Sequence, residues 1–340
     1  MIEIDGSIGE AGGQILRTAL SLSAITQQAF KITKIRHSRP KPGLQAQHLT
    51  CVKSLQQICN ADVKGGEIGS QVLEFTPSEI VGGNYNFNIG TAGSITLLAQ
   101  CLLPVLLSAD KASEVQFTGG THVSFSPVAD YFSSIFLPTV HKMGVEAEFT
   151  VQRCGWFPVG GGKATLKVKP LKELTPLNLT SREIAPNITV SALYSQLPGA
   201  VGQRLADSAA KYLTNSAGAC CAEIKVDKKE ASCPGCCVFV KADYGNCVAG
   251  FSSLGKLGKP AEEVGKEAAK RFSEFDKSNA AVDEHLADQL LLYAALAKGK
   301  SEFTVEKVSQ HFETNTWTIG KFLDRKIAVE KKKKRNSRSH

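Results

Sequence analysis

No run of about eighteen apolar residues occurs in these 340 residues, which excludes a helix spanning a bilayer. No charged-then-apolar leader precedes Met-Ile-Glu-Ile-Asp, so secretion is not expected. The glycine-rich loop near the start matches neither G-x-G-x-x-G nor the Walker A pattern, and no generic phosphate-loop assignment follows from it. Cys233-Pro-Gly-Cys236 lacks a second C-x-x-C. That spacing fits half a zinc site completed by Cys221 or Cys247, a redox pair, or plain reduced thiols; ten irregularly spaced cysteines without a leader favour a reducing cytosol. Excess charge is also scarcer than it looks. Of the formal +8, the tail from Lys331 to His340 supplies four Lys and two Arg, leaving +2 on the rest. Such a tail reads as a disordered, solvated end, or as a weak nucleic-acid or nuclear-import signal.

What is present is concentrated at the two ends. Asp283 is suited to cap a helix in which Leu286, Leu290 and Tyr293 recur at i, i+4 and i+7. His285, Asp288 and Gln289 share one face near its start. Gly299 breaks the helix, Phe303 to Val308 alternate as a short strand, and His311 follows just past it. Thr314 can then cap a helix carrying Trp317, Phe322 and Leu323. A strand-to-helix junction is where α/β folds commonly place reactive groups. The ordinary alternatives are a surface histidine at 311 and a dipole-favouring acid at 288.

At the other end, Gly6-Ser7-Ile8-Gly9-Glu10-Ala11-Gly12-Gly13-Gln14 runs into a helix from Ile15, presenting backbone N–H groups to an anion. Glu10 suits a hard cation or complements the helix dipole. Arg36-His37-Ser38-Arg39-Pro40-Lys41-Pro42-Gly43 holds three fixed positive charges on a loop stiffened by proline. Those charges suit an RNA backbone, or are an exposed basic loop.

Element order supplies the fold class, an α/β (α+β) protein. A β-α-β-α-β-β unit ends near Phe75, and the same order recurs from Tyr85 to Glu148. A third unit is expected to start at Trp156 with the strand Ala164–Val168 and to use the helices 284–298 and 314–324. Residues 185–278 interrupt it with strands and helices of their own, a small inserted α/β domain. The expected division is a core domain of three repeats (1–184 and 279–328), the insert (185–278) and a basic tail (329–340). Gln100, polar within an apolar helix, either bonds to core backbone or reaches a ligand.

Gly9 to Arg17, Arg39 to Leu44, Gln47 to Thr50, Gly93-Ser94 and Asp283 to Gln289 closely resemble the RNA 3′-terminal phosphate cyclases, over roughly residues 1–325. The resemblance implies a three-repeat fold with a domain inserted in the third repeat. It also implies ATP-dependent conversion of an RNA 3′-phosphate to a 2′,3′-cyclic phosphate, with a divalent cation, Mg2+ or Mn2+. By the same resemblance His311 is the nucleophile that carries AMP. Gln100, His285, Leu286, Ala287, Asp288 and Gln289 fall at ATP-binding positions, and Glu10 lies near metal and phosphates. Arg17, Arg39 and Lys41 are candidates for the RNA phosphate by charge and placement. Two departures stand out: Glu313 adds a negative charge close to the nucleophile, and His285 replaces the usual tyrosine. A non-catalytic ribosome biogenesis factor of the same fold is the alternative, against which the retained His311 argues. An enolpyruvyl transferase would need a shikimate- or sugar-binding signature, and none is found. The expected compartment is the cytoplasm, with the nucleus as the alternative from the tail.

Overall fold

The computed structural model describes residues 1–183, 185–218 and 221–331; Cys220 and the tail from Lys332 lie outside the described residues. Two sheets share one topology. In the first, β1 (Ile2–Asp5) leads through α1 (Gln14–Thr26) to a parallel β2 (Phe30–Thr33). Then α2 (Ala46–Ile58), β3 (Asp62–Lys64) and β4 (Leu73–Thr76) complete the strand order β1-β2-β4-β3. Alternation explains the register. Phe30 faces Phe75 and Ile32 faces Leu73 on the buried side, while Lys31 and Glu74 pair outward at 2.9 Å.

The second sheet repeats this with β5 (Asn84–Asn88), α3 (Ile95–Leu106), β6 (Ser113–Gly119) and a helical stretch. That stretch comprises α4 (Ala129–Tyr131), a π turn over Phe132–Phe136 and α5 (Leu137–His141). It closes with β7 (Ala147–Arg153) and β8 (Gly162–Val168), in the order β5-β6-β8-β7. The strand at 164–168 therefore does not open a third unit. Its Leu166 lies across from both Val115 and Phe149, so it completes the second sheet.

Past the second sheet, regular structure is at first sparse. β9 (Asn178–Leu179) is a two-residue strand. Next come β10 (Asn187–Ser195), α6 (Gly199–Ala217), β11 (Cys221–Lys228), β12 (Gly235–Asp243), β13 (Val248–Leu254) and α7 (Ala261–Ser278). These form their own sheet, β11-β10-β12-β13, with α6 and α7 packed on each other. Gly265 allows the crossing, because a Cβ there would lie 2.3 Å from the Leu205 carbonyl. The chain then returns as α8 (Glu284–Leu296), β14 (Glu302–Phe303) and α9 (Gln310–Phe322).

The expected strand through Val308 is cut short at Phe303. The residues beyond are recruited as helix caps instead. The Glu306 carboxylate accepts from Glu284 N at 3.3 Å, and Ser309 caps α9. α3 is buried nearly all round and is the hub of the core; α1 packs on it, with Ser21 Oγ donating to the Cys101 carbonyl at 2.7 Å. Among the described residues no helix is long and apolar enough to cross a membrane, and no group of three His, Cys, Asp or Glu is placed to hold a metal. Cys233 and Cys236 are buried, the Cys233 thiol donating to the Trp156 carbonyl at 3.6 Å.

A buried histidine joins the second sheet to the inserted one. His122 Nε2 lies 2.7 Å from Asp130 Oδ2, Nδ1 lies 2.8 Å from Thr121 Oγ1, and the ring packs 4.8 Å from that of Trp156. Trp156 Nε1 in turn donates to Ser195 Oγ at 2.9 Å. Burial pushes the imidazole pKa down, but Asp130 and Cys154 more than offset this and raise it to about 9. In the unfolded chain it is about 6.5. A raised folded-state value means that the stabilisation is complete below about pH 6.5 and is lost as the pH climbs through about 9. Unfolding free energy is expected to fall by on the order of 3 kcal/mol across that window. Denaturant titrations should show this slope, and His122→Asn should flatten it.

Candidate active site

The loop between β1 and α1 passes through the left-handed region at Gly9 (φ 65°) and presses against α9. A Cβ on Gly9 would lie 2.0 Å from Thr314 Oγ1, so only glycine permits the approach. Gly9→Ala is expected to cost about 2–4 kcal/mol. A Thr314→Ala partner should recover only part of it, because the left-handed backbone remains strained; a double-mutant cycle by denaturant unfolding checks this.

That approach brings Glu10 to His311. The carboxylate Oε2 is 2.9 Å from Nδ1, too oblique for a hydrogen bond. His311 is not at a strand–helix junction. Ser309 caps α9 by accepting from Phe312 N at 2.9 Å, which puts His311 in the first turn of the helix. Thr314 is not the cap; it lies inside the helix, its hydroxyl donating to Gln310 O at 2.8 Å. Ser309 Oγ also donates to Asp288 Oδ1 at 2.5 Å, so Asp288 holds the end of the helix that carries His311. Asn315 accepts from Thr18 Oγ1 at 2.7 Å and donates to the Asp288 carbonyl at 2.9 Å. Three helices are thereby locked around one histidine.

Burial is the main influence on His311 and lowers its pKa; Glu10 opposes, while Arg17, His285 and Arg39 add to the lowering. Burial thus favours the neutral form of the imidazole. Burial raises Asp288 to about 7, against its hydrogen bond from Ser309 and with help from Glu284, Asp283 and Glu10.

Cations gather on the other side of the glycine loop. Arg39 Nη2 is 3.7 Å from Glu10 Oε2 and 3.1 Å from where a Gly12 Cβ would be. Arg17 Nη1 and His48 Nε2 lie 3.0 and 2.2 Å from a Cβ built on Gly13. Arg17 forms no ion pair among the described residues, and burial lowers its pKa. His48 Nδ1 is buried without a partner. Burial, then Arg17 and Arg36, push His48 to about 3, so it is uncharged. All three groups face the start of α1, which has no side-chain cap and no acid in its first turn. Such a helix start, flanked by guanidinium groups, suits an anion. Lys41 is exposed further out on its loop, and the Arg36 guanidinium is spent on the carbonyls of Lys41 and Gly43.

Between α1, α3 and α8 runs a shallow cleft, open to solvent. Arg17, Gln100, Asp288 and Gln289 line its polar part; Phe136, Leu292 and Tyr293 line its apolar part. Gln100 Nε2 donates to Gln289 Oε1 at 2.6 Å, so its side chain turns to the cleft and not to core backbone. His285 is exposed on the first turn of α8 and does not line the cleft, whereas Leu286 and Ala287 are buried and point into the core.

Two contributors have no role in the sequence reading, Ser309 and His48. His48 belongs to the stretch Gln47 to Thr50, but only the approach of Gly13 shows what it faces. Ser309 two residues before a histidine is a helix-cap signal that the alternation of the preceding residues masks.

Residues 8–329 match the family model described as RNA 3′-terminal phosphate cyclase. Among curated proteins, the RNA 3′-terminal phosphate cyclase of Methylococcus capsulatus is 43% identical over 330 residues, covering 95% of this chain and 91% of its own. That of Methanosarcina barkeri is 42% identical over 332 residues, 98% of this chain and 97% of its own. That of Archaeoglobus fulgidus is 41% identical over 330 residues, 97% and 98% respectively.

Proposed function

The chain belongs to the RNA 3′-terminal phosphate cyclase family, and on that premise we propose that it closes an RNA 3′-phosphate into a 2′,3′-cyclic phosphate at the expense of ATP, carrying the nucleotide on His311. The observation that carries this reading is a half-exposed histidine, backed by Glu10 at 2.9 Å, on a helix that closes one side of an open cleft and packs against the arginine-flanked start of α1.

Nδ1 of His311 is buried toward Glu10, which leaves Nε2 as the attacking atom. Its lone pair forms a bond to the α-phosphorus of ATP while the bond to the bridging oxygen breaks and pyrophosphate leaves. Positive charge that develops on the ring faces the Glu10 carboxylate, as in other histidine sites backed by an acid. An oxygen of the RNA 3′-phosphate, held by Arg17, Arg39 and the start of α1, then attacks the same phosphorus and the imidazole departs. The RNA now ends in a diphosphate bridge to adenosine. The neighbouring 2′-oxygen attacks the RNA phosphorus, loses its proton, and AMP leaves. AMP is a far better leaving group than the phosphate oxygen it replaces, and this last attack is intramolecular.

In this reading the base and ribose of ATP rest against Gln100, Gln289 and the apolar wall, with Asp288 beside them and His285 exposed on the same helix. Lys41 extends the positive field for the RNA backbone. A divalent cation fits as a companion of the triphosphate. Glu10 offers one carboxylate, and magnesium is commonly held by one or two carboxylates together with substrate phosphates. It would neutralise phosphate charge there.

Incubation with ATP and an RNA bearing a labelled 3′-phosphate should render the label resistant to phosphatase, with one AMP and one pyrophosphate released per ring closed. Phosphatase-sensitive RNA after ATP turnover would refute the reading.

A further inference from the structure

We propose that Phe125 and Phe157 form a stacking platform for the bases of single-stranded RNA immediately upstream of the 3′ end. The proposal rests on RNA 3′-end cyclisation as the function and extends it from the terminal phosphate to the rest of the substrate. Most phenylalanines of this chain are buried, but Phe125 and Phe157 are 104% and 75% exposed. Among the described residues neither ring stacks on another aromatic or a cation.

Their position is informative. The phosphate-facing loops follow the parallel strands β1 and β2. Phe125 lies on the loop that follows β6, the counterpart of β2 in the second sheet. Phe157 lies on the hairpin between β7 and β8, whose Gly162 pairs with Gly119 at the end of β6, and so it shares that rim. A short chain of contacts leads from there to the anion site. A Cβ on Gly160 would lie 2.9 Å from Ala92 Cα, and one on Gly93 would lie 3.1 Å from Gln47 Cβ. Ser94 N donates to Gln47 Oε1 at 2.7 Å, and the next residue is His48. One loop separates the aromatic rim from the phosphate site.

Two further observations favour RNA as the occupant. Phe125 has φ 63°, a strained conformation for a bulky residue of the kind that gathers at ligand sites. The loop is held there by Ser126 Oγ donating to Val123 O at 3.0 Å and Thr96 Oγ1 donating to Pro127 O at 2.7 Å. At the base of the hairpin, Arg153 lies directly across from Lys163, a like-charge pair that disfavours the bare sheet and suits a polyanion. Arg153 is ion-paired with Glu230 at 3.5 Å; Lys163 has no ion pair among the described residues. Exposed aromatics interleaved with cations beside a backbone site are what unpaired bases stack on, whatever their sequence.

The test compares two substrates, an RNA of about ten nucleotides and a dinucleotide, both ending in a 3′-phosphate. Phe125→Ala and Phe157→Ala should each lower kcat/KM for the longer RNA by on the order of 10-fold, mainly through KM, and leave the dinucleotide unaffected. Phe157→Tyr should restore the longer substrate, because the ring face is kept. Labelling of His311 from ATP, which involves no RNA, reports that each variant is folded. Quenching of 2-aminopurine placed a few nucleotides from the 3′-phosphate, read without ATP, measures stacking independently of ring closure, so failure of the chemistry and failure of the platform are told apart. Equal losses on both substrates, no loss on either, or quenching that persists in the double alanine variant would overturn the proposal.

Discussion

His311→Ala is expected to abolish covalent labelling by ATP and to slow ring closure by on the order of 10⁴-fold or more, as for other lost nucleophiles. Stability should hardly change, within about 0.5 kcal/mol, because the ring is partly exposed and makes no hydrogen bond. The distinguishing measurement supplies RNA already carrying the 5′-adenylyl group on its 3′-phosphate. The histidine takes no part in the final step, so the variant should close that RNA at close to the ordinary rate. An alanine variant that still accepts label, or one that cannot use the pre-activated RNA although it binds it, would break the assignment.

Arg17 should show the second large effect, with function and stability moving in opposite directions. Its guanidinium is held among largely buried groups with no ion pair among the described residues, Glu10 acting only from further off, so the folded protein bears an incompletely offset cost. That cost is repaid only when an anion enters. Arg17→Met should therefore raise the unfolding free energy by about 1 kcal/mol while lowering kcat/KM for RNA by on the order of 10²-fold. Arg17→Lys should recover little, since a point charge cannot reproduce the two-pronged contact. Inorganic phosphate should raise the melting temperature of the unsubstituted protein and leave that of Arg17→Met unmoved. A destabilised Arg17→Met would mean that the side chain is a structural support and not a waiting ligand.

Much of this is legible in the residues, for identifiable reasons. Asp283 as a helix cap follows from local chemistry, and its Oδ1 accepts from His285 N and Leu286 N at 3.1 and 3.0 Å. The first sheet follows from strict alternation around Phe30, Ile32, Leu73 and Phe75. Failures occur where a long-range partner decides. The glycines at 160–162 look like a fresh start and group the strand 164–168 with the residues after it, but its pairing with β6 is not encoded nearby. The alternation at 303–308 is real, yet Glu306 and Ser309 cap helices more effectively than they extend a two-residue strand. The sequence leaves Gln100 between core backbone and a ligand; Gln289, 189 residues away, is the partner that turns it to the cleft. The meeting of Glu10 with His311 depends on a glycine packed against Thr314, which no local pattern announces.

The bond from Thr18 to Asn315 spans 297 residues and has one further consequence. During synthesis α1 emerges from the ribosome first, and α9 with His311 emerges after the whole insert. Because the Gly9 loop and α1 are both packed on α9, the site is completed only when this last helix docks.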